Sequence, residues 1–210
     1  MFTGIIEEVG QVKLIDSNSL TISCTNILED IKLGDSIAVD GVCLTVTSYN
    51  KNSFTADVSP ETFNVTKLDE LKYNELVNLE RAMGINSRFG GHIVTGHIDT
   101  VGKINKIIPN GNFYQLEIFI QNTTFYKYLV KKGSITIDGI SLTISELSNS
   151  NVNIAVIPHT FESTNLKTLK KDSNVNIEFD ILAKYVEKNL LMNDNKSNIT
   201  VNFLEDNGFV

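Results

Sequence analysis

An eleven-residue stretch occurs twice in this chain, and it constrains the fold more than any other feature. Residues 36–46 read SIAVDGVCLTV and residues 134–144 read SITIDGISLTI. At an offset of 98, Asp40 matches Asp138, Gly41 matches Gly139, Cys43 matches Ser141 and Thr45 matches Thr143. Self-similarity at that spacing means a duplicated domain, since solenoid arrays repeat every ~20–50 residues. A chain of 210 residues divides into two halves of ordinary small-domain size. Each half is modest, so packing between halves or between subunits is expected.

The matching extends outwards. Thr95-Gly96 answers Thr3-Gly4 and Val101-Gly102 answers Val9-Gly10, here at an offset of 92. Pro158, Thr160 and Phe161 answer Pro60, Thr62 and Phe63, and NIE at 176–178 answers NLE at 78–80. Runs such as FTGIIEEVGQVKLI, SLTISCT, NSFTADVSP, FYQLEIFI and NVNIAVIP read as short strands, with Pro60 stopping one of them. ILEDIKLG reads as a helical turn closed by Gly34, TTFYKYLVKKG takes its place in the second half, and TKLDELK reads as a short helix. The Asp-Gly breaks predict tight turns or bulges. This pattern predicts an all-β protein of two tandem β-barrels, at 1–88 and 89–181, with Gly90-Gly91 in a linker. LAKYVEKNLLM places Leu182, Val186 and Leu190 on one stripe, predicting an amphipathic helix over 182–192. The stripe packs on its own barrel or on a partner subunit; pattern alone leaves both open. A polar tail occupies 193–210.

Composition excludes several function classes. Eighteen Lys and Arg against twenty-five Asp and Glu give a net charge of −7, which argues against a nucleic-acid partner. No apolar run of ~18 residues exists to span a membrane. MFTGIIEEVG lacks the basic and apolar regions of a signal peptide. Cys24 and Cys43 can pair in principle, but without a secretory signal free thiols in the cytoplasm are expected. GxGxxG and P-loop patterns are absent, so no nucleotide phosphate site is expected. His92 and His97 are five apart, so on a continuous strand they face opposite sides, and no CxxC or HxxxH spacing occurs; no metal is expected.

Candidate working residues lie where the halves differ chemically. Cys43 becomes Ser141, Ile5 becomes His97, Asp57 becomes Ala155, Glu61 becomes His159 and Ala82 becomes Asp180. Positions two apart on a strand share a face, so Cys43 and Thr45 point together, as do Ser141 and Thr143. Such pairs also simply suit strands, and His97 reads equally as a hydrogen-bonded structural histidine. Asp180 sits between Phe179 and Ile181, where a carboxylate needs a partner or a function.

The segments MFTGIIEEVG, GVCLTV, LERAM, FGGHIVTGHID, GSITIDGISLTI, IPHT and VNIEFD resemble the α-chain type of riboflavin synthase, in order, from Met1 to about Leu191. The resemblance implies two six-stranded Greek-key barrels and a homotrimer assembled through the C-terminal helix, with each site between the N-barrel of one subunit and the C-barrel of another. It implies dismutation of two 6,7-dimethyl-8-ribityllumazine molecules, one donating a four-carbon unit to the other, with no cofactor. Some members associate with a lumazine synthase capsid, which makes that capsid a candidate partner. On family positions, Phe2, Gly4, Ile5, Ile6, Ser36, Val42, Cys43, Leu44, Thr45, and Asp57 with Val58, Ser59, Pro60, Glu61 and Thr62 belong to the N-barrel pocket. Gly96, His97, Ile98, Lys132, Ile140, Ser141, Leu142 and Thr143 belong to the C-barrel pocket, with Ile154, Ala155, Val156, Ile157, Pro158, His159, Thr160 and Asp180. His97 is the candidate base for the acidic C7 methyl, Ser141 its relay and Cys43 the nucleophilic or water-positioning group. A non-catalytic lumazine- or flavin-binding antenna protein of the same fold is the alternative. It is expected to have lost the polar set of one pocket, whereas here both sets are present.

Overall fold

A computed structural model describes residues 1–148, 150–194, 204–205 and 207–209. In the first half, β1 (Glu8–Asp16), β2 (Ser19–Ser23), β3 (Ser36–Val39), β4 (Val42–Asn50), β5 (Ser53–Asp57) and β6 (Leu76–Arg81) close an antiparallel barrel in the order β1-β2-β5-β4-β3-β6. The second half repeats it with β7 (Thr100–Asn110), β8 (Phe113–Phe119), β9 (Ser134–Ile137), β10 (Ile140–Leu147), β11 (Asn151–Val156) and β12 (Asn174–Phe179). Their order, β7-β8-β11-β10-β9-β12, is the same topology. Alternate residues fill each interior: Leu20, Ile22, Ile37, Val39, Phe54 and Leu79 in one, Ile118, Ile135, Ile137, Ile154 and Ile177 in the other, all essentially inaccessible. Burying each such side chain contributes about 1.5–3 kcal/mol, which is what closes the barrels.

Each Asp-Gly pair is a two-residue hairpin turn. Asp40 and Gly41 have φ of 44° and 82°, and Asp138 and Gly139 have 46° and 81°. Both central residues must be left-handed in a type I′ turn, which is why Asp-Gly joins two alternating apolar runs here. The two hairpin tips touch: a Cβ on Gly41 would lie 2.7 Å from the Gly139 nitrogen.

The joins depart from the sequence reading in three places. Pro60 opens α1 (Pro60–Val65) rather than merely ending β5, because the first helical position needs no N–H; α2 (Pro158–Glu162) repeats this. The turn expected in ILEDIKLG lies earlier, as a 3-10 turn over Asn26–Leu28, while TKLDELK holds a 3-10 turn over Lys67–Glu70. The opening segment becomes a strand only at Glu8; before it, Phe2 forms an isolated bridge to Val94. The C-terminal helix α3 runs over Ile181–Asp194, and most of the polar tail lies outside the described residues.

A buried polar cluster joins the barrels on a pseudo-twofold axis. Asn78 Nδ2 donates to the Asp138 carbonyl and Asn176 Nδ2 to the Asp40 carbonyl, both at 2.9 Å. The symmetry breaks at one matched pair, where Lys67 stands in the first half and Asn165 in the second. Lys67 Nζ lies 2.9 Å from Asp40 and 2.5 Å from Asp138, and Asn165 Nδ2 donates to both carboxylates. Two carboxylates thus share one ammonium, all three buried. Burial pushes Asp40 up to about 7, with Lys67 opposing and Asp138 adding to the rise. Burial pulls Lys67 down, but the two carboxylates outweigh it and hold its pKa above the ordinary lysine value.

Candidate active site

The two Thr-Gly loops are exchanged between the barrels. The Ser141 N–H donates to the Gly4 carbonyl at 2.8 Å, and the Cys43 N–H donates to the Gly96 carbonyl at 2.9 Å. Glycine is required at both contacts: a Cβ on Gly4 would fall 2.6 Å from the Ser141 Cβ, and one on Gly96 2.5 Å from the Cys43 Cβ. The flanking apolar residues cross as well, Ile6 packing on the C-barrel core and Ile98 on the N-barrel core. Gly4, Ile5 and Ile6 therefore run along the Ser141 side, and Gly96, His97 and Ile98 along the Cys43 side. Sequence order had assigned each loop to its own barrel. The Phe2–Val94 bridge, with hydrogen bonds of 2.8 and 3.1 Å, turns each loop onto the other one.

The histidine that meets Ser141 is His92. Its Nδ1 lies 2.7 Å from Ser141 Oγ and its Nε2 3.1 Å from Thr136 Oγ1. Gly91 makes this approach possible, since a Cβ there would fall 2.0 Å from the Thr3 carbonyl oxygen and 2.8 Å from the Ser141 Cβ. Burial lowers the His92 pKa below the ordinary value, and the Asp180 carboxylate opposes the shift. A neutral His92 with its proton on Nε2 donates to Thr136 and accepts from Ser141, leaving a serine hydroxyl paired to a base. His97 is exposed on the surface of the exchanged loop, its backbone N–H donating to Thr95 Oγ1 at 3.3 Å.

The other candidates fall into three kinds. Asp180 is half-buried, and its Oδ1 accepts the Leu182 N–H at 2.9 Å, so it caps α3 while facing His92 electrostatically. Ser59 likewise caps α1, accepting the Thr62 N–H at 3.1 Å. Val42, Leu44, Val58, Ile140, Leu142, Ile154 and Val156 point into the barrel cores, so only their backbone is available to a ligand. Thr45, Asp57, Pro60, Glu61, Thr143, Ala155, Ile157, Pro158 and His159 are exposed, with Ser36, Thr62 and Thr160 half-buried beside them. Lys132 is exposed and holds φ at 70°, where the first barrel has Gly34 at 88°. Cys43 is a free, half-buried thiol packed against Phe2, Ala38 and Val94, whereas burial pushes the Cys24 thiol up to about 12. Of the candidates, only Ile5 lines either of the clefts of about 300 and 390 Å³, which touch none of Cys43, Ser141 or His92. Among the described residues no cluster of three or more His, Cys, Asp or Glu can hold a metal ion, and no helix is long and apolar enough to cross a membrane.

Comparison with known proteins gives this geometry its context. The model of the lumazine binding domain matches twice, over residues 3–82 and 95–180. Curated riboflavin synthases from Actinobacillus pleuropneumoniae and Bacillus subtilis (strain 168) are 50% and 48% identical to the chain, each over the full length of both proteins. The solved structure of LumP complexed with 6,7-dimethyl-8-(1'-D-ribityl) lumazine has a TM-score of 0.77 at 30% identity, covering 85% of this chain and 98% of that one. LumP complexed with riboflavin superposes with a TM-score of 0.79 at 29% identity, covering 85% and 99%. With its two lumazine-binding barrels and full-length likeness to riboflavin synthases, the chain belongs to the riboflavin synthase family.

Proposed function

We propose that this riboflavin synthase works as a transferase whose two exchanged-loop pockets each hold one 6,7-dimethyl-8-ribityllumazine. One molecule donates a four-carbon unit to the other, giving riboflavin and 5-amino-6-(D-ribitylamino)uracil. The observation that carries this reading is the 2.7 Å contact between Ser141 Oγ and a buried His92 whose pKa is lowered. A neutral imidazole can take a proton through Ser141 from the C7 methyl of a lumazine on the Ser141 face, whose anion delocalises into the ring. The free Cys43 thiol on the other face is suited to assist addition at the second lumazine. Holding the two rings together supplies much of the remaining barrier reduction.

Thr45 and Thr143, which share a face with Cys43 and Ser141, are exposed in a single chain, which supports sites completed by a neighbouring subunit. The helix α3 supports the same assembly. Its polar side is tied to its own barrel, Lys184 to Asp99 at 2.5 Å and Glu187 to Lys127. Leu182, Tyr185, Val186 and Leu190 are left more than half exposed. A homotrimer built on this stripe is the proposed assembly, and two free thiols fit a reducing compartment such as the cytoplasm.

The test is incubation of the purified protein, with no added cofactor, with 6,7-dimethyl-8-ribityllumazine. One riboflavin should appear for every two lumazines lost, and His92→Gln should slow this by at least about a hundredfold, the range expected for removing a general base. Tight lumazine binding without turnover would instead make the chain a carrier of the LumP kind.

A further inference from the structure

Inside the apolar strands β6 and β12, Glu80 and Glu178 occupy matched positions and are both almost fully buried. Among the described residues neither forms an ion pair. Glu80 Oε1 accepts from the Thr3 N–H at 2.6 Å and the Thr3 hydroxyl at 2.8 Å, and its Oε2 accepts from the Gly4 N–H at 3.0 Å. Glu178 repeats the pattern on Thr95 and Gly96, at 2.7, 2.6 and 2.9 Å. A buried carboxylate is costly unless its acceptor sites are filled, and here each is filled by the loop that crosses to the other barrel.

What the loops do next gives the arrangement its meaning. The Thr3 carbonyl accepts the His92 N–H at 3.1 Å, and the Gly4 carbonyl accepts the Ser141 N–H at 2.8 Å. Glu80 therefore grips, through two residues, the backbone of both members of the Ser141–His92 pair. Glu178 grips Gly96, whose carbonyl holds the Cys43 N–H.

We propose that Glu80, a residue of the N-terminal barrel, is a positioning residue for the C-terminal pocket, and that Glu178 is its reciprocal for Cys43 in the N-terminal pocket. The inference rests on reading Ser141, His92 and Cys43 as the working groups. It makes the chemistry of each barrel depend on a carboxylate in the other. The exchange also excludes the simpler view of the two glutamates as local braces, because neither of them touches the pocket of its own barrel through these bonds.

The test uses Glu80→Gln, which keeps the shape but sets an amide N–H₂ against one of the loop N–H groups. The chain has three histidines, His92, His97 and His159, so ring ¹⁵N signals can be followed individually through a pH titration. In E80Q the His92 titration should move up towards the ordinary histidine value, with the other two histidine signals as internal controls. Turnover should fall at least tenfold with KM changed less than threefold. Combined with His92→Gln, E80Q should add almost nothing further, whereas combined with Cys43→Ala its effect should multiply; E178Q should show the opposite pairing. If E80Q does not fold, Thr3→Val removes only the hydroxyl bond and should shift His92 in the same direction by less. An unmoved His92 in a folded variant, or a turnover loss that multiplies with His92→Gln, overturns the proposal. A wild-type protein that binds lumazine without turnover sinks the functional reading alone, because the histidine titration still decides the positioning.

Discussion

Replacing Lys67 by Met tests the physics of the joint between the barrels. Among the described residues, Lys67 Nζ is the only cation paired with the two inaccessible carboxylates. Its loss differs from exchanging a whole buried ion pair for apolar groups, which is often neutral, because both anions stay behind. Removing one partner of a buried pair costs about 3–5 kcal/mol. At ~2–4 °C per kcal/mol for a chain of this size, the melting temperature should fall by about 6–20 °C. Asp138 keeps a donor on each oxygen, from Asn176 and Asn165, whereas Asp40 keeps Asn78 and Asn165 on Oδ1 alone and its Oδ2 meets only the lysine among the described residues. Asp40 is therefore the group that takes up a proton. With its folded pKa raised to about 7, protonated Asp40 contributes stability that is full below the unfolded carboxylate value and lost as pH rises through about 7. Lys67→Met removes the attraction opposing that rise, so its penalty should be small at pH 5.5 and large at pH 8.5. Asp40→Asn in the Lys67→Met background should recover most of the loss at pH 8.5. Calorimetry across that range checks this. A melting temperature within about 2 °C of wild type at pH 8.5, or a penalty independent of pH, would refute the reasoning.

Three further outcomes are expected. Gly91→Ala should abolish most lumazine turnover and lower stability by about 1–3 kcal/mol, because its Cβ would overlap the Thr3 carbonyl and Ser141; steady-state kinetics and a melting curve check both. Lys132→Gly should raise the melting temperature, since left-handed backbone costs a side-chain-bearing residue about 1–2 kcal/mol, yet reduce turnover if the lysine is retained for the substrate. Val186→Asp should dissociate the assembly in sedimentation velocity and lose activity at micromolar protein concentrations, with the barrels still folded by circular dichroism.

The barrels were legible because their information is local. Alternating β-branched residues and an Asp-Gly pair specify a hairpin wherever they occur, and the repeat at an offset of 98 doubled the signal. The Cys43 and Ser141 faces followed from strand periodicity. The loop exchange did not, because contiguity attached Gly4–Ile6 to the first barrel and the bridge that redirects them pairs Phe2 with Val94, distant in sequence. His92 was hidden for the same reason: its spacing from His97 excluded a shared metal but said nothing of Ser141, 49 positions away. A signal for the buried polar cluster that clasps the barrels together was nevertheless present. Asn78 and Glu80 recur as Asn176 and Glu178 among the Val, Leu, Ile and Phe of the buried stretches 77–80 and 175–179, and a polar residue kept twice in a core strand implies a buried partner. Lys67 against Asn165 is a difference between the halves of the same kind as Cys43 against Ser141, and it marks the clasp rather than a pocket.

Duplication alone gives two equivalent faces, and a reaction between two identical substrates in unequal roles needs them to differ. The side-chain change from Cys43 to Ser141 supplies part of that difference. The linker supplies the rest. By running through Gly91 against Thr3, it lays His92 beside Ser141 and Thr136, within electrostatic reach of Asp180, whereas no histidine nitrogen comes within hydrogen-bonding range of Cys43 among the described residues. The proposed base thus belongs to the connection between the domains, not to either copy of the fold. Transplanting Ser141 into the first barrel as Cys43→Ser should therefore not create a second base-paired hydroxyl. In the histidine titration, the variant should leave all three histidines where they are in wild type. A new perturbed histidine in Cys43→Ser would mean that the asymmetry resides in the matched strands after all.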